Sequence, residues 1–533
     1  VERSVSQTKR DNRLGKWPNV GAIALLVIVF ILLYSRTLAD PDLWGHLRFG
    51  RDIWESGQIG YQDPYSYLTG GQTWINHEWL AEVVFWGIFA IAGARGLVLL
   101  KLFVGFLTFV LLYAHLRRSQ VRALKVAILL LAAAAIPLWR FLITVRPQLF
   151  TLLFFTLTIL VIHHAERGRA RSLWLLAPLF VVWANCHGGF LSGVGVLVIW
   201  GCAHIIQGFI QRAQNPIRLR TLLTLLGPIV LAVAGTLFNP YGLRLWAFLL
   251  RTATVPRPEI REWQPLELIS VAGISYLVPL GLSIAGLLYS RLERQPSLMV
   301  VYACTAFLPF VAIRHLPLFA VSATILGGEH VNDVWTRRFP RERFSLKGRP
   351  PWVLVPWLFL LSVFVMAVLV PLARYQFAGW RGAFSCIQFP EAYYPVRAVA
   401  LLKTAVPEGN LAIDFDWGEY AIWHLGPDIK VSIDGRRETI YSEEVYQQNL
   451  HFMRGERDWS TLLEAYPTDL ALVRAGSPTH NLLRLQPGWI VVYEDPVSAL
   501  FVREDSPLRE RLEAADPPDI PYDGRGLCFP QVL

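Results

Sequence analysis

Among the side chains between Leu38 and Leu80 that can hold a metal or move a proton are Asp40, Asp42, His46, Asp63, His77 and Glu78. Trp44, Trp54, Trp74 and Trp79 are interleaved with them. A connector between two membrane helices has only to be short and soluble. Carboxylates and imidazoles gathered just past an apolar run are what a base-assisted or metal-assisted transfer at a bilayer surface requires. Asp40 follows the first apolar run directly and is the favoured general base or metal ligand, while Asp42 before LWGHL fits a helix cap. His46 lies one helical turn beyond Asp42 and can share its face. Asp63 in QDPYS reads as an Asp-Pro turn residue. His77 and Glu78 open an apolar segment, where Glu78 suits either a helix N-terminal charge or a ligand role. No HExxH or paired-cysteine spacing marks a zinc site. Two options follow: no metal, or a divalent cation such as magnesium or manganese held by Asp40 and Glu78.

The elements that must position these residues are membrane helices. Hydrophobic residues make up 54% of the 533 and charged ones 17%, with a mean hydropathy of +0.39. Soluble proteins carry about a quarter charged residues, so the fold class expected is an α-helical multi-pass membrane protein. The net charge of +10 does not point to nucleic acid, because the arginines stand in short clusters between apolar runs and read as topology signals. Residues 1–17 form a basic, cytoplasmic N-terminus, and the apolar run from Val20 is too long for a signal-peptide core. Further spans are expected at 96–116, 122–138, 148–165, 172–185, 190–211, 220–237, 267–290, 297–313, 316–333 and 352–373. With eleven helices, the clusters Arg117/Arg118, Arg167/Arg169/Arg171, Arg212/Arg218/Arg220, Arg291/Arg294 and Arg337 to Arg349 all fall on the N-terminal, cytoplasmic side. That count requires 79–93 to lie in the interface rather than to span. The domains are then 18–374, membrane-embedded with a first outer loop over 37–95, and 375–533, an extracytoplasmic α/β domain.

In this second domain, apolar alternation predicts strands at Leu411–Asp414, Lys430–Ile433, Leu470–Val473, Trp489–Tyr493 and Ala499–Val502. Helical periodicity predicts Pro395–Thr404, Glu443–Met453, Trp459–Tyr466 and Thr479–Leu485. Cys386 and Cys528 either pair in an oxidising compartment or stay as two thiols. Asp416, Trp417, Glu419 and Arg436 put aromatic rings beside charges, a combination suited to sugar or peptide recognition. The remaining outer loops hold Arg146, His187 with Gly188 and Gly189, Asn239-Pro240-Tyr241, and Arg314-His315. Arginines on the face that excludes positive charge need a reason, and a guanidinium fork at a helix end can hold a phosphate; reaching to lipid headgroups is the alternative.

An N-terminal helix followed by an acidic outer loop resembles the GT-C superfamily of polyprenyl-phosphate-dependent glycosyltransferases, which includes the mannosyltransferases, aminoarabinose transferases and oligosaccharyltransferases. Asp40/Asp42, His46, Gly57-Gln58-Ile59 and His77-Glu78-Trp79-Leu80 follow the order of that family's first loop, with HEWL standing where its motif carries two prolines. The WANCHGGF, FNPYG and DWGEY…IDGRRE segments look like a bacterial branch of it. The resemblance implies a plasma-membrane enzyme that takes a sugar from a polyprenyl-phosphate donor. Arg146, Arg314, His315 and His187 would lie at the donor phosphate and Asp40, Asp42, His46, His77 and Glu78 at the reacting centre. An extracytoplasmic glycan, lipid or protein would be the acceptor, and inversion the outcome. Two other classes compete: a lipid-linked-substrate transporter or flippase, which would place charges at the membrane midplane in repeated halves, and a non-catalytic assembly protein with an outer binding domain.

Overall fold

A segment crossing hydrocarbon has to satisfy every backbone N–H and C=O internally, so the apolar runs must be helices. The computed structural model describes residues 34–339 and 386–530, with 27, 30 and 31 and without 70, 120, 122–123, 212–218, 256, 258–259, 517–519 and 521–526. The basic N-terminus, most of the first span, the span expected at 352–373 and the boundary at 375 lie outside the described residues.

A short helix, α1 (Asp42–Ser56), is followed by α2 (Trp79–Arg118), α3 (Leu124–Leu142) and α4 (Gln148–Glu166). Next come α5 (Leu176–Cys186), α6 (Phe190–Gln211), α7 (Leu219–Gly235), α8 (Leu243–Thr254), α9 (Val271–Tyr289), α10 (Pro296–Phe307) and α11 (Leu316–Arg338). Among the described residues five helices are long and apolar enough to cross a membrane: α2, α3, α4, α6 and α9. The stretches 170–186, 224–235 and 296–310 are apolar but shorter. The expected eleven spans are therefore matched only as a helical bundle with five helices of spanning length in the part described. α2 is broken at Gly93, whose φ of 60° and ψ of −154° are not helical, a conformation glycine adopts without a Cβ penalty. The break separates 79–92 from the long apolar stretch beyond it, on which Leu99, Phe103, Phe106 and Val110 form one exposed apolar stripe.

Beyond residue 386 the chain folds around a five-stranded sheet in the order β3-β2-β4-β6-β5. Its strands are β2 (Gly409–Ile413), β3 (Ile429–Val431), β4 (Leu470–Arg474), β5 (Trp489–Glu494) and β6 (Ser498–Arg503). β2 pairs parallel with both β3 and β4, while β6 pairs antiparallel with β4 and β5. Parallel neighbours need crossover connections; the helix Gly418–Leu425 lies between β2 and β3, and Glu443–Arg454 with Thr461–Ala465 lies between β3 and β4.

The first loop is built into this sheet. Its Ser66 bridges Val431, and the Val431 N–H donates to the Tyr65 carbonyl at 2.9 Å. Trp44, fully buried on α1, packs against Phe389, Tyr394, Tyr420 and Phe529 with ring centroids 4.8–5.4 Å apart. The disulfide Cys386–Cys528, with Cα atoms 5.1 Å apart, ties the end of the chain to its start beyond 386. Alongside it β1 (Gln388–Phe389) pairs with β7 (Leu527–Cys528). Gln388 also exchanges backbone hydrogen bonds with Thr37 and Ala39, which fixes the backbone immediately before Asp40.

Candidate active site

α1 starts at Asp42 with Pro41 at its N-cap, and the Asp40 carboxylate accepts the Asp42 N–H at 3.2 Å. Asp40 thus takes the capping contact, while Asp42 lines a cavity of about 1260 Å³ between the helix ends and the sheet. This corrects the division expected from the sequence. The DPD spacing alone cannot say which carboxylate turns back to the helix. Gly435 sits hard against Asp42: a Cβ there would meet its Oδ1 at 2.5 Å and the Glu419 carboxylate at 2.7 Å.

Arg146, just before α4, holds this corner. One of its terminal nitrogens pairs with Asp40 and, at 2.7 Å, with Asp42; the other faces Glu262 at 3.5 Å. The fork expected to grip a phosphate is occupied by carboxylates, so Arg146 orients Asp42. Glu262 escaped the sequence reading; its signal was its place in REW between Arg261 and Trp263. Trp263 carries two guanidinium groups, Arg257 at 3.8 Å and Arg314 at 4.5 Å from its ring centre. The carboxylate facing Arg314, that of Glu262, is 3.8 Å away, too far to hydrogen-bond, which leaves the Arg314 donors available to an anion.

The start of α2 brings in the second carboxylate group. The His46 Nδ1 lies 3.2 Å from Glu82 and 4.0 Å from Glu78. The other Glu82 oxygen accepts from Asn76, whose own N–H is held by the Tyr241 hydroxyl of FNPYG. Glu78 also faces His77 at 3.8 Å and His187 at 3.5 Å. The His187 Nδ1 receives the Gly189 N–H at 2.9 Å and meets the Thr151 hydroxyl at 2.8 Å, so Nε2 carries the proton toward Glu78. His315 lines the cavity wall beside Arg314. The structure therefore brings Asp42, His46, His77, Glu78, Arg146, His187, Arg314 and His315 to one cavity.

The sheet supplies the opposite wall. Asp414 and Asp416 follow β2, Gly435 and Arg437 follow β3, and Arg474 ends β4. All lie at the carboxyl ends of the parallel strands, where open α/β sheets place their ligands, next to the β2/β4 switch point. Arg474 clasps Asp414 through two bonds of 2.8 and 2.9 Å and reaches Asp416 at 3.2 Å. Of the four acceptor-side candidates only Asp416 lines the cavity. Trp417 is fully buried with its N–H on the Tyr393 carbonyl, and Glu419 accepts the Gly45 N–H at 3.1 Å. Arg436 lies between Asp63 and Asp434, both at 2.7 Å, under the rings of Phe49, Tyr65 and Trp74. These three are packing groups. The aromatic-and-charge pattern that suggested a binding surface is equally the pattern of a sealed polar seam; Asp63 keeps its turn role, accepting the Tyr65 and Ser66 N–H groups at 3.0 and 3.1 Å, and joins that seam through Arg436.

Burial dominates the electrostatics. It lifts Asp40 to about 6, against the opposing Arg146 charge and with Asp42 adding to it. It lifts Glu78 to about 7, partly offset by His46. Burial would lower His46, but its Glu82 hydrogen bond and the Glu78 charge outweigh that and raise it to about 9. His77 is pushed down to about 4 by burial and by the nearby His46 charge. The cavity wall carries eight arginines against five carboxylates, so it favours an anionic ligand.

For a metal, the ligand atoms of His46, Glu78 and Glu82 lie within 4.8 Å of one another. One imidazole and two carboxylates suit manganese better than magnesium, which prefers an all-oxygen shell. Asp40, expected to share a metal with Glu78, is instead paired with Arg146. Glu82, rather than Asp40, lies in the same cluster as His46 and Glu78.

No family model matches the chain, and no curated protein matches it. Solved structures do. The archaeal oligosaccharyltransferase AglB from Archaeoglobus fulgidus, in complex with an inhibitory peptide and a dolichol-phosphate, superposes with a TM-score of 0.60 at 13% identity, covering 96% of this chain and 75% of that one. The Archaeoglobus fulgidus oligosaccharyltransferase complex with Zn and sulfate gives 0.53 at 12% identity, covering 90% and 73%. ArnT from Cupriavidus metallidurans in the apo state gives 0.52 at 15% identity, covering 92% and 98%. The fold is similar to that of these solved oligosaccharyltransferase and ArnT structures, and five of the described helices are long and apolar enough to cross a membrane.

Proposed function

We propose that this chain is a membrane glycosyltransferase that moves a sugar from a polyprenyl-phosphate-linked donor to an acceptor on the extracytoplasmic side, inverting the anomeric carbon. The observation that carries the reading is the cavity itself. It joins a cavity-facing carboxylate, Asp42, to an excess of arginine at the membrane end of the bundle and to strand carboxyl ends on the other side. The likeness of fold to AglB solved with dolichol-phosphate and a peptide supports it.

In this reading Arg314 and Arg257, stacked on Trp263, hold the donor phosphate. Asp42, oriented by Arg146, accepts the proton as an acceptor hydroxyl or amide attacks the anomeric carbon, and the bond from that carbon to the phosphate oxygen breaks to release polyprenyl phosphate. Arg474, Asp414 and Asp416 shape the acceptor side. His46, Glu78 and Glu82 would hold a divalent cation, whose charge would favour the leaving phosphate. The N-terminus is cytoplasmic in this arrangement, and the sheet with the cavity faces outward from the plasma membrane.

The test is transfer by purified protein from a panel of labelled polyprenyl-phosphate sugars, comparing wild type with Asp42→Asn. Transfer by wild type and its loss in the variant support the reading. Unchanged transfer by Asp42→Asn removes Asp42 as the base, and binding and release of donor with no transfer to any acceptor defeats the reading in favour of a lipid-substrate transporter.

A further inference from the structure

At the end of the bundle opposite the cavity, α2, α4 and α11 each contribute one metal-binding side chain: His115, His163 and Glu329. One ligand atom from each lies within 4.8 Å of the other two. The two imidazoles are 3% and 5% exposed, and their rings stand edge to face with centroids 4.6 Å apart.

The proton positions follow from the partners. The His115 Nε2 lies 3.2 Å from the Ile325 carbonyl, which only accepts, so Nε2 bears the hydrogen and Nδ1 keeps its lone pair. That Nδ1 is buried with no hydrogen-bond partner. The Glu329 Oε1 faces the His163 Nε2 at 3.2 Å. A buried nitrogen lone pair left without a donor is unfavourable, and one beside a buried carboxylate and a second imidazole describes a cation's place. The outer partners fit as well. A ligating histidine usually gives its other N–H to a carbonyl, as His115 does to Ile325, and a ligating carboxylate is usually held by a further group. Here Arg167 pairs with the other Glu329 oxygen. Arg167 is about half exposed, so solvent reaches the cluster from that side.

We propose that His115, His163 and Glu329 form a second metal site, taking a zinc-class divalent ion that staples α2, α4 and α11. Two imidazoles and one carboxylate favour zinc over magnesium or calcium and leave a fourth position for water. None of the three residues lines the cavity, so the site stands whether or not the transferase reading does.

The full chain in detergent, stripped with chelator, is titrated with Zn²⁺ and followed by thermal unfolding, bound-metal analysis and zinc X-ray absorption. The Glu78→Gln/Glu82→Gln variant, which disables the cavity group, serves as the background. It should retain one zinc with a two-imidazole shell, and its unfolding midpoint should rise by about 4 °C or more. Adding His163→Gln should abolish both effects. A background protein that keeps no zinc, shows no shift, or gives a spectrum with fewer than two imidazoles overturns the proposal. Those readouts do not depend on whether the His163→Gln variant folds.

Discussion

Arg146 and Arg436 are each wedged between two aspartates, and each pair includes a first-loop carboxylate: Asp40 and Asp42 for Arg146, Asp63 and Asp434 for Arg436. One cluster opens on the cavity, with the Arg146 and Asp42 side chains 22% and 30% exposed. The other is sealed, at 5% and 0%, beneath three aromatic rings. The residue types are nearly the same, and access decides what they do. An ion pair facing a cavity can exchange a carboxylate's partner for a substrate proton. A sealed pair cannot, and it fixes where the first loop meets the sheet.

The largest expected effect separates the two clusters outright. Asp42→Asn should lower transfer by about a hundredfold to ten-thousandfold, the range of a lost general base, while leaving the unfolding midpoint nearly unchanged. Equal losses of activity and stability would erase the distinction. On the sealed side, Asp63→Ala removes one of the two carboxylates that neutralise the buried Arg436 and should cost about 3–5 kcal/mol of stability, measured by thermal or denaturant unfolding. A cost below about 1 kcal/mol would mean that the seam is not sealed. Arg314→Ala should raise the donor KM about tenfold with a smaller change in kcat, as expected for a phosphate contact made equally in ground and transition states. A fall in kcat alone would move Arg314 to the reacting centre.

The smallest effect is the pH limb. The Asp40 carboxyl is raised from its ordinary value to about 6, so its proton is bound below that pH and lost above it. Only the ionised form pairs fully with Arg146. Transfer should therefore fall as pH drops through about 6 rather than about 4, and Asp40→Asn should flatten that limb. A limb near 4 in wild type would detach Asp40 from the Arg146 corner.

Several residues of the candidate cavity stood out in the first loop because carboxylates and imidazoles cluster there just past an apolar run, although Asp40 and Asp63 of the same cluster serve turn and ion-pair contacts. The five strands predicted beyond residue 386 agree with the sheet within two residues at each end, since short apolar runs bounded by polar residues mark buried strands even where both faces are covered. The helices Gly418–Leu425 and Leu508–Ala514 were missed. The first is apolar nearly all round and buried, so it shows no amphipathic period, and it sits inside the DWGEY run that read as a binding patch.

From the amino-acid order alone came the membrane class, the acidic loop, most helices and the α/β part beyond residue 375, because hydropathy and period are local properties. Which aspartate caps and which faces the cavity, that Arg146 serves carboxylates, and that Trp417, Glu419 and Arg436 are interior were settled only by the tertiary structure. The reason is that each depends on a partner more than a hundred residues away in the chain or on a neighbour's burial. No local pattern encodes the electrostatic environment that such distant contacts create.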